Sequence, residues 1–389
     1  MLVALMISLV AMSIDAMLPA LPLIAADLDL QRANDSQLVI GVFFVGMAIG
    51  QMVLGPMSDS LGRRPAILLG MILFAGGCLL SIFSTGFTQM LVGRLLQGFG
   101  AAGPRIVSVA LVRDQYKGRE MARIMSFVMT IFILVPVFAP AIGQLVLNLA
   151  GWRSIFGGFL LLVTITAAWF ALRQPETLAS SNRIVFSPAR LLADIVAICR
   201  VRAALGYTLT MGFAFGAFIG YLSSSQQIFQ VQYDLQQRFP LYFGILACAI
   251  GAASLCNASL VMRFGMRRLS SYALSGTCLL SFPFFLYALA CDGHPPLAWL
   301  MLYLLPLFFC FGVLFGNLNA LAMEPLGHIA GLGSALVGSV STLISVAFGV
   351  WVADAYDGTV LPLVLGFALL GLAGLAIMRW TEAGLDTGA

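Results

Sequence analysis

Gly55-Pro56-Met57-Ser58-Asp59-Ser60-Leu61-Gly62-Arg63-Arg64-Pro65 is a short polar turn held between two long apolar runs. The run before it covers about residues 36–57, and the run after it about residues 66–84. Each is close to the roughly 20 apolar residues that a helix needs to cross a bilayer core. A related turn, Met262-Arg263-Phe264-Gly265-Met266-Arg267-Arg268, has its glycine 203 residues further on and lacks the acid. A repeat of a polar turn between apolar spans points to two related halves, a common construction for secondary transporters.

Working outward, the chain is 61% hydrophobic and only 9% charged over 389 residues. A soluble domain carries roughly 25% charged residues. Sixteen acids and twenty basic residues cannot solvate a surface of this size, so lipid replaces water around most of it. The net charge of +4 carries no message about nucleic acid. Twelve spans are expected, near residues 2–26, 36–57, 66–84, 87–111, 123–148, 153–173, 203–223, 241–261, 270–290, 297–321, 329–353 and 361–380. Strands are excluded, because the runs are continuous and do not alternate at ten-residue spacing. The polar stretch from Gln174 to Arg202 divides the chain. The expectation is therefore an all-α membrane protein of twelve transmembrane helices in two pseudo-symmetric six-helix bundles around a central cavity. The bundles are 1–173 and 203–389, with a cytoplasmic linker at 174–202.

The basic residues fix the orientation. With both termini cytoplasmic, fifteen fall on the inner side, among them Lys117, Arg119, Arg190 and Arg379. Only Arg32, Arg153 and Arg238 fall outside, and Arg94 and Arg105 lie within the fourth span. The first run starts at residue 2 without a basic stub and is longer than a signal h-region, so it reads as a span. Whether the natural chain starts before Met1 stays open. Seven cysteines are scattered, with Cys199 and Cys291 in loops on opposite sides, and no spacing suggests a metal or a disulfide. His294 and His328 are loop residues and receive no role.

Within the first span, Ser13-Ile14-Asp15-Ala16-Met17-Leu18-Pro19 places a carboxylate deep inside an apolar run. An ionisable group there is costly, and it faces a bundle interior or a cavity. Asp15 is read as the group that takes up and releases a coupling proton. The alternative is a polar residue bonded to a neighbouring helix. In the 55–65 turn, Gly55 and Gly62 permit a tight turn. Asp59 could pair with Arg63 or cap a helix from another segment. With Arg64 and Asp114, these residues form a charge set able to latch one conformation. A solvated positive-inside turn is the plainer reading.

The 55–65 turn resembles the loop signature of the major facilitator superfamily. Leu91-Val92-Gly93-Arg94-Leu95-Leu96-Gln97-Gly98-Phe99-Gly100 is similar to the family's fourth-span motif. Ala139-Pro140-Ala141-Ile142-Gly143-Gln144 resembles its fifth-span antiporter motif, with Ala139 where Gly is usual and Gln144 replacing the second terminal Gly. Pro136, Pro140 and Gly143 are the positions this motif singles out. Further stretches resemble one branch, the Bcr/CflA-type drug:proton antiporters. They are Asp15 to Pro22, Gly151-Trp152-Arg153-Ser154-Ile155-Phe156, Pro175-Glu176-Thr177, and Asn319 to Pro325 followed by Ala330-Gly331. The resemblance implies proton-driven efflux of small amphipathic compounds such as antibiotics across the bacterial inner membrane.

Arg94 and Arg105 are eleven residues apart, about three helical turns, which puts them on one inward face with Gln97, Gly98 and Ala101 near it. Asp15 lies about 20 Å from the inner end of its span, and Arg94 about 10 Å from the outer end of its own. In a core about 30 Å thick those depths coincide, so Arg94 is an expected neighbour of Asp15. Its alternative role is to hold the fourth span to its neighbours through carbonyls. Burial and a nearby Arg pull a carboxyl's hold on its proton in opposite directions, so alternating access would change proton affinity. Gln97, Arg105, Phe213, Tyr221 and Asn317 are candidate substrate contacts. Phe213, Phe215, Phe218 and Tyr221 could line an apolar pocket, but an aromatic stripe is more often packing or lipid contact. Interhelical hydrogen bonds account equally for Asn257, Asn317 and Asn319.

The expected partners are a small amphipathic substrate, protons and lipid, with the chain a monomer, no cofactor and no metal. The runner-up is an importer or facilitator of a small metabolite on the same fold. An intramembrane enzyme lacks its constellation of catalytic groups. A sensor lacks a loop long enough to fold alone. ATP drive lacks a Gly-rich loop with Lys.

Overall fold

The computed structural model describes residues 1–116, 118–179, 181, 183, 196 and 200–383. Most of the 174–202 linker, with Lys117, Arg190 and Cys199, lies outside the described residues, as does the side chain of His328. Every described element is helical. Among the described residues, twelve helices are long and apolar enough to cross a membrane. They are α1 (Leu2–Asp27), α2 (Asn34–Leu61), α3 (Arg63–Ile82), α4 (Phe87–Gln115), α5 (Arg123–Ala150), α6 (Trp152–Arg173), α7 (Arg202–Gln232), α8 (Gln236–Phe264), α9 (Met266–Ala290), α10 (Leu297–Leu326), α11 (Gly333–Asp354) and α12 (Leu361–Ala383).

Two boundaries differ from expectation. The turn between α2 and α3 is the single residue Gly62, because both helices run into the polar segment. The seventh span runs on to Gln232, nine residues past its expected end. Ser223, Ser224, Ser225, Gln226, Gln227 and Gln230 are all buried there, so protein and not water surrounds this polar run. Local bonds satisfy part of it, with Ser224 Oγ donating to the Gly220 carbonyl (2.8 Å) and Gln226 Nε2 to Gln230 Oε1 (3.0 Å). The helix widens to a π turn at Gln227–Gln232.

The described residues group into two units. One holds α1–α6 with Ser334–Ser339 of α11, and the other holds the rest of α7–α12. Inside the first, α4 packs on α2 and α3, α3 on α6, and α1 on α5 and α6. Inside the second, α10 packs on α8 and α9, α9 on α12, and α7 on α12 and α10. The shared pairs, shifted by six spans, are the structural form of the repeat. Gly62 and Gly265 also adopt the same left-handed turn, with φ/ψ of 118°/160° and 78°/154°. A side chain is strained in that region, so glycine is required at both.

Lipid tails are as apolar as leucine, so close packing and buried polar contacts hold such helices together. The packing runs through small residues. A Cβ on Gly98 would lie 1.9 Å from the Phe43 carbonyl oxygen, so the α4 backbone rests directly on α2. In the second unit, large rings do the equivalent work. Phe215 stacks on Phe315 at 4.4 Å, and Phe218 meets Phe308, Phe311 and Phe315.

Candidate functional site

The first span is broken where its acid sits. A regular helix covers Leu2–Asp15, a 3-10 turn follows at Leu18–Ala20, and helix resumes at Leu21–Asp27. Pro19 explains the break. It has no N–H for the Asp15 carbonyl four residues back, and its ring disfavours helical geometry at Leu18. Pro22 removes the next such donor. A broken helix is tolerated at membrane depth only where protein or a cavity covers it.

Asp15 is 5% exposed. Among the described residues its carboxylate receives no hydrogen bond and no ion pair. An intramembrane acid costs about 2.5–3.5 kcal/mol on insertion scales, while an interhelical hydrogen bond returns about 0.6 kcal/mol. Asp15 makes none of the bonds that would justify it as packing.

α5 crosses α1 at this break. A Cβ on Gly143 would lie 1.8 Å from the carbonyl oxygen of Ala16, and 2.6 Å from its carbonyl carbon. Ala139, one turn away, is buried at 1% exposure. Pro136 and Pro140 lie inside a helix that runs from Gly118 to Ala150 without interruption. The fifth-span motif thus supplies a glycine that lets backbone meet backbone beside Asp15.

Arg94 goes elsewhere. It is fully buried, with Nε donating to the Val39 carbonyl (3.0 Å) and Nη1 to Gln97 Oε1 (2.7 Å). Its guanidinium lies 4.5 Å from the centroid of the Phe43 ring. Gln97 in turn donates to the Cys78 sulfur at 3.1 Å. No ion pair joins Arg94 to Asp15 among the described residues. Equal depth placed the two together in the sequence reading, but depth does not fix which neighbour a helix face meets. The face of Arg94 meets α2. Here it is an anchor, bonded and stacked on its ring. Arg94→Leu leaves Gln97 short of its donor in a dry interior, at about 1–3 kcal/mol. The expected result is a lower melting temperature of the purified protein, with an unshifted pH profile in the transport that survives. A shifted profile at unchanged melting temperature would contradict the anchor role.

Arg105 does not share the setting of Arg94. It is exposed, and its Nη1 contacts the Met47 sulfur at 3.1 Å. The cause is a π turn at Gly103–Val107, which adds a residue to the helical repeat and breaks the 3.6-residue phase.

The charge set on the basic turn is assembled. Arg63 pairs with Asp59 through Nη1 and with Asp114 through Nε at 3.0 Å, and Nη1 also donates to Ser58 Oγ (2.9 Å). Gly55 stands one turn before Asp59 on α2, buried. Arg64 Nη2 donates to the Ala171 carbonyl at 2.7 Å. Glu176, which carries no assigned role in the sequence analysis, completes the set. Its carboxylate accepts the backbone N–H groups of Arg63 (2.9 Å), Arg64 (3.1 Å), Thr177 (2.9 Å) and Leu178 (2.9 Å). It therefore closes the N-terminus of α3 from 112–113 positions away, with the helix dipole favouring its charge. Thr177 Oγ1 extends the set to Asp114 (3.3 Å). Pro175-Glu176-Thr177 was visible as a family marker, but nothing local reveals so distant a partner.

Burial pulls the Glu176 carboxyl up, the four N–H donors pull it down, and the donors win, so it stays below its ordinary value of 4.5. A lowered carboxyl stabilises the folded state above its unfolded value, and the benefit vanishes as pH falls through the lowered one. Glu176→Gln is expected to cost about 1 kcal/mol at neutral pH. In melting curves the gap between variant and natural protein should close in acid below the ordinary Glu value. A gap that stays constant through that acid range would contradict the cap.

The remaining candidates fall in the second unit. Phe213 lies on Phe348 with centroids 4.7 Å apart. Tyr221 is ringed by Phe218, Phe243 and Phe308. Asn317 exchanges two hydrogen bonds with Asn257, at 2.9 and 3.0 Å. Interhelical bonding is therefore what the two asparagines do here. The buried polar run of α7 is a further feature that the sequence analysis does not single out. Its signal was five consecutive polar residues, Ser223 to Gln227, ending an apolar run.

The chain matches the Major Facilitator Superfamily over residues 3–350. It belongs to that family. Major Facilitator Superfamily members are secondary transporters, so this chain is a multi-pass membrane transporter and not an enzyme. An uncharacterized MFS-type transporter, YdgK of Bacillus subtilis, is 32% identical over 343 residues, covering 86% of this chain and 83% of that protein. A bicyclomycin resistance protein homolog of Haemophilus influenzae is 30% identical over 358 residues, covering 90% and 87%. The xylose transporter XylE from E. coli, in a partially occluded inward open conformation, superposes with a TM-score of 0.75. It is 14% identical over 97% of this chain and 95% of that one, which shows the shared fold alone.

Proposed function

We propose that this transporter exports small amphipathic molecules, drugs among them, in exchange for protons, with Asp15 carrying the proton. The observation that carries the reading is an unpartnered, buried carboxylate at the break of α1, next to the Ala16 backbone on which the glycine of the fifth-span motif packs. When the site opens to water Asp15 is hydrated, and when it closes the water is withdrawn. Its hold on the proton changes with that exchange. A cationic or polar cargo near the ionised carboxylate competes with the proton, and that competition couples the two fluxes. The Asp59–Arg63–Asp114 set with Glu176 latches the basic side of the first unit in one conformation. Arg94 ties α4 to α2 through the Val39 carbonyl. Arg105 and Phe213, neither sealed in the interior, remain the candidates for cargo contact. The similarity to the bicyclomycin resistance homolog supports the drug class of cargo.

In this reading the chain sits as a monomer in the bacterial inner membrane with both termini cytoplasmic, and the proton is its coupling ion with no cofactor. The second reading, an importer or facilitator of a small metabolite, draws on Ala139 and Gln144 in place of the usual glycines. Accumulation of a fluorescent cationic dye separates them. Cells making the protein should hold less dye than cells without it, and equal or greater accumulation would contradict export.

A further inference from the structure

We propose that Asp27 and Arg153 are positioning residues for Asp15, strapping the far half of α1 to the α5–α6 hairpin so that the break stays closed over the carboxylate. The inference rests on the reading of Asp15 as the proton carrier, and adds what keeps that group from water. The break leaves Leu21–Asp27 as seven residues of helix. Isolated helices this short are marginal, so contacts with the rest of the fold must hold it. Of its side chains Leu21 and Ile24 are buried, while Leu23 is 50% exposed. Its main packing is on the turns that flank it, Leu18–Ala20 and Ala33–Gln37. The half before the break, Leu2–Asp15, instead packs along α5 and α6.

At Asp27, polar bonds do what packing does elsewhere. Its Oδ2 accepts Trp152 Nε1 at 3.2 Å and Arg153 Nη1 at 2.5 Å, both from the start of α6. Arg153 Nη2 donates to the Ser84 carbonyl at 3.1 Å, which ties in the end of α3. The same guanidinium lies 4.2 Å from the centroid of the Trp152 ring. Trp152 is rooted in the interior, buried and set edge-on to the fully buried Phe156. A buried indole N–H needs an acceptor, and Asp27 supplies it. An exposed ion pair by itself is worth little. Here one carboxylate serves two donors, and one guanidinium joins three elements, so the pair does not act by itself.

The same hairpin holds the other end of the segment. Gly143 of α5 packs on the Ala16 backbone, and Gly151 is the single residue between α5 and α6. The far half of α1 is therefore pinned to one hairpin at Ala16 and again at Asp27. Asp15 sits beside the first pin and is buried. A broken helix keeps its cover only while protein closes over the break. Releasing the second pin frees a two-turn segment to swing about the break and admits water to Asp15.

The test treats the purified full chain with a water-soluble carbodiimide and an amine, and reads labelling at Asp15 and at Asp114 by fragment mass spectrometry. Asp27→Asn and Arg153→Gln should each label at Asp15 about tenfold faster than the natural protein, the weight of one hydrogen bond to a charged group. Asp114, on the basic turn, should label at an unchanged rate in both. Asp27→Glu keeps an acceptor for both donors and should return Asp15 to near the natural rate. Unchanged labelling of Asp15 in both variants would overturn the proposal. So would equal acceleration at Asp15 and Asp114, which marks general loosening of the fold. No gradient enters the readout, so failure of the strap and failure of proton coupling give different results.

Discussion

Gly143→Ala is expected to reduce transport about a hundredfold, the scale on which a misplacement of about 1 Å acts on a working site. The added methyl would meet the Ala16 carbonyl at 1.8 Å, and anything under 3.0 Å forces a shift. Both partners are backbone, so no side chain can swing aside. α5 and α1 must separate by over an ångström at the break that holds Asp15. Overpacking of this kind costs about 1–3 kcal/mol, enough to lower the melting temperature without preventing insertion. Gly157→Ala is the matched control, because a Cβ there meets nothing within 4 Å. Transport per folded molecule, measured in vesicles for both variants, checks the claim. A Gly143→Ala protein as active as the Gly157→Ala protein would remove α5 from the site.

This prediction also shows where the sequence was readable. Twelve apolar runs located the spans because the bilayer imposes one length on every helix. The glycines at 62 and 265 announced the repeat because a single-residue reversal requires a left-handed backbone. Pro19 made the break in α1 readable in principle, since a missing N–H four residues after Asp15 has one local consequence.

What could not be read is what lies across a gap in the chain. The fourth-span periodicity identified an inward face but not the neighbour it meets, so Arg94 was paired with Asp15 when its bonds run to Val39 and Gln97. The π turn at Gly103–Val107 put Arg105 out of phase with Arg94, and no periodic count anticipates an inserted residue. Glu176 serves a helix more than a hundred residues away. The end of α7 was misjudged for a simpler reason. Hydropathy treats Ser223 to Gln230 as facing water, whereas the surrounding helices bury those side chains.

Of the latch and the break, the break bears more of the functional claim. In the proposed mechanism the latch sets how long one conformation lasts, so weakening it leaves coupling intact. The proposed coupling rests on Asp15 alone. Among the described residues its nearest charged relatives on the same helix are Asp27 and Asp29, at the far end of the span or beyond, and Asp27 is engaged by Arg153 at 2.5 Å.

The decisive measurement is dye movement against its concentration gradient in sealed vesicles under an imposed pH difference, comparing Asp15→Asn with the natural chain. The amide keeps the shape and cannot exchange a proton. The account predicts that gradient-driven accumulation collapses to the passive level, while downhill exchange and the melting temperature stay near those of the natural protein. Full uphill transport by the Asp15→Asn protein would contradict it.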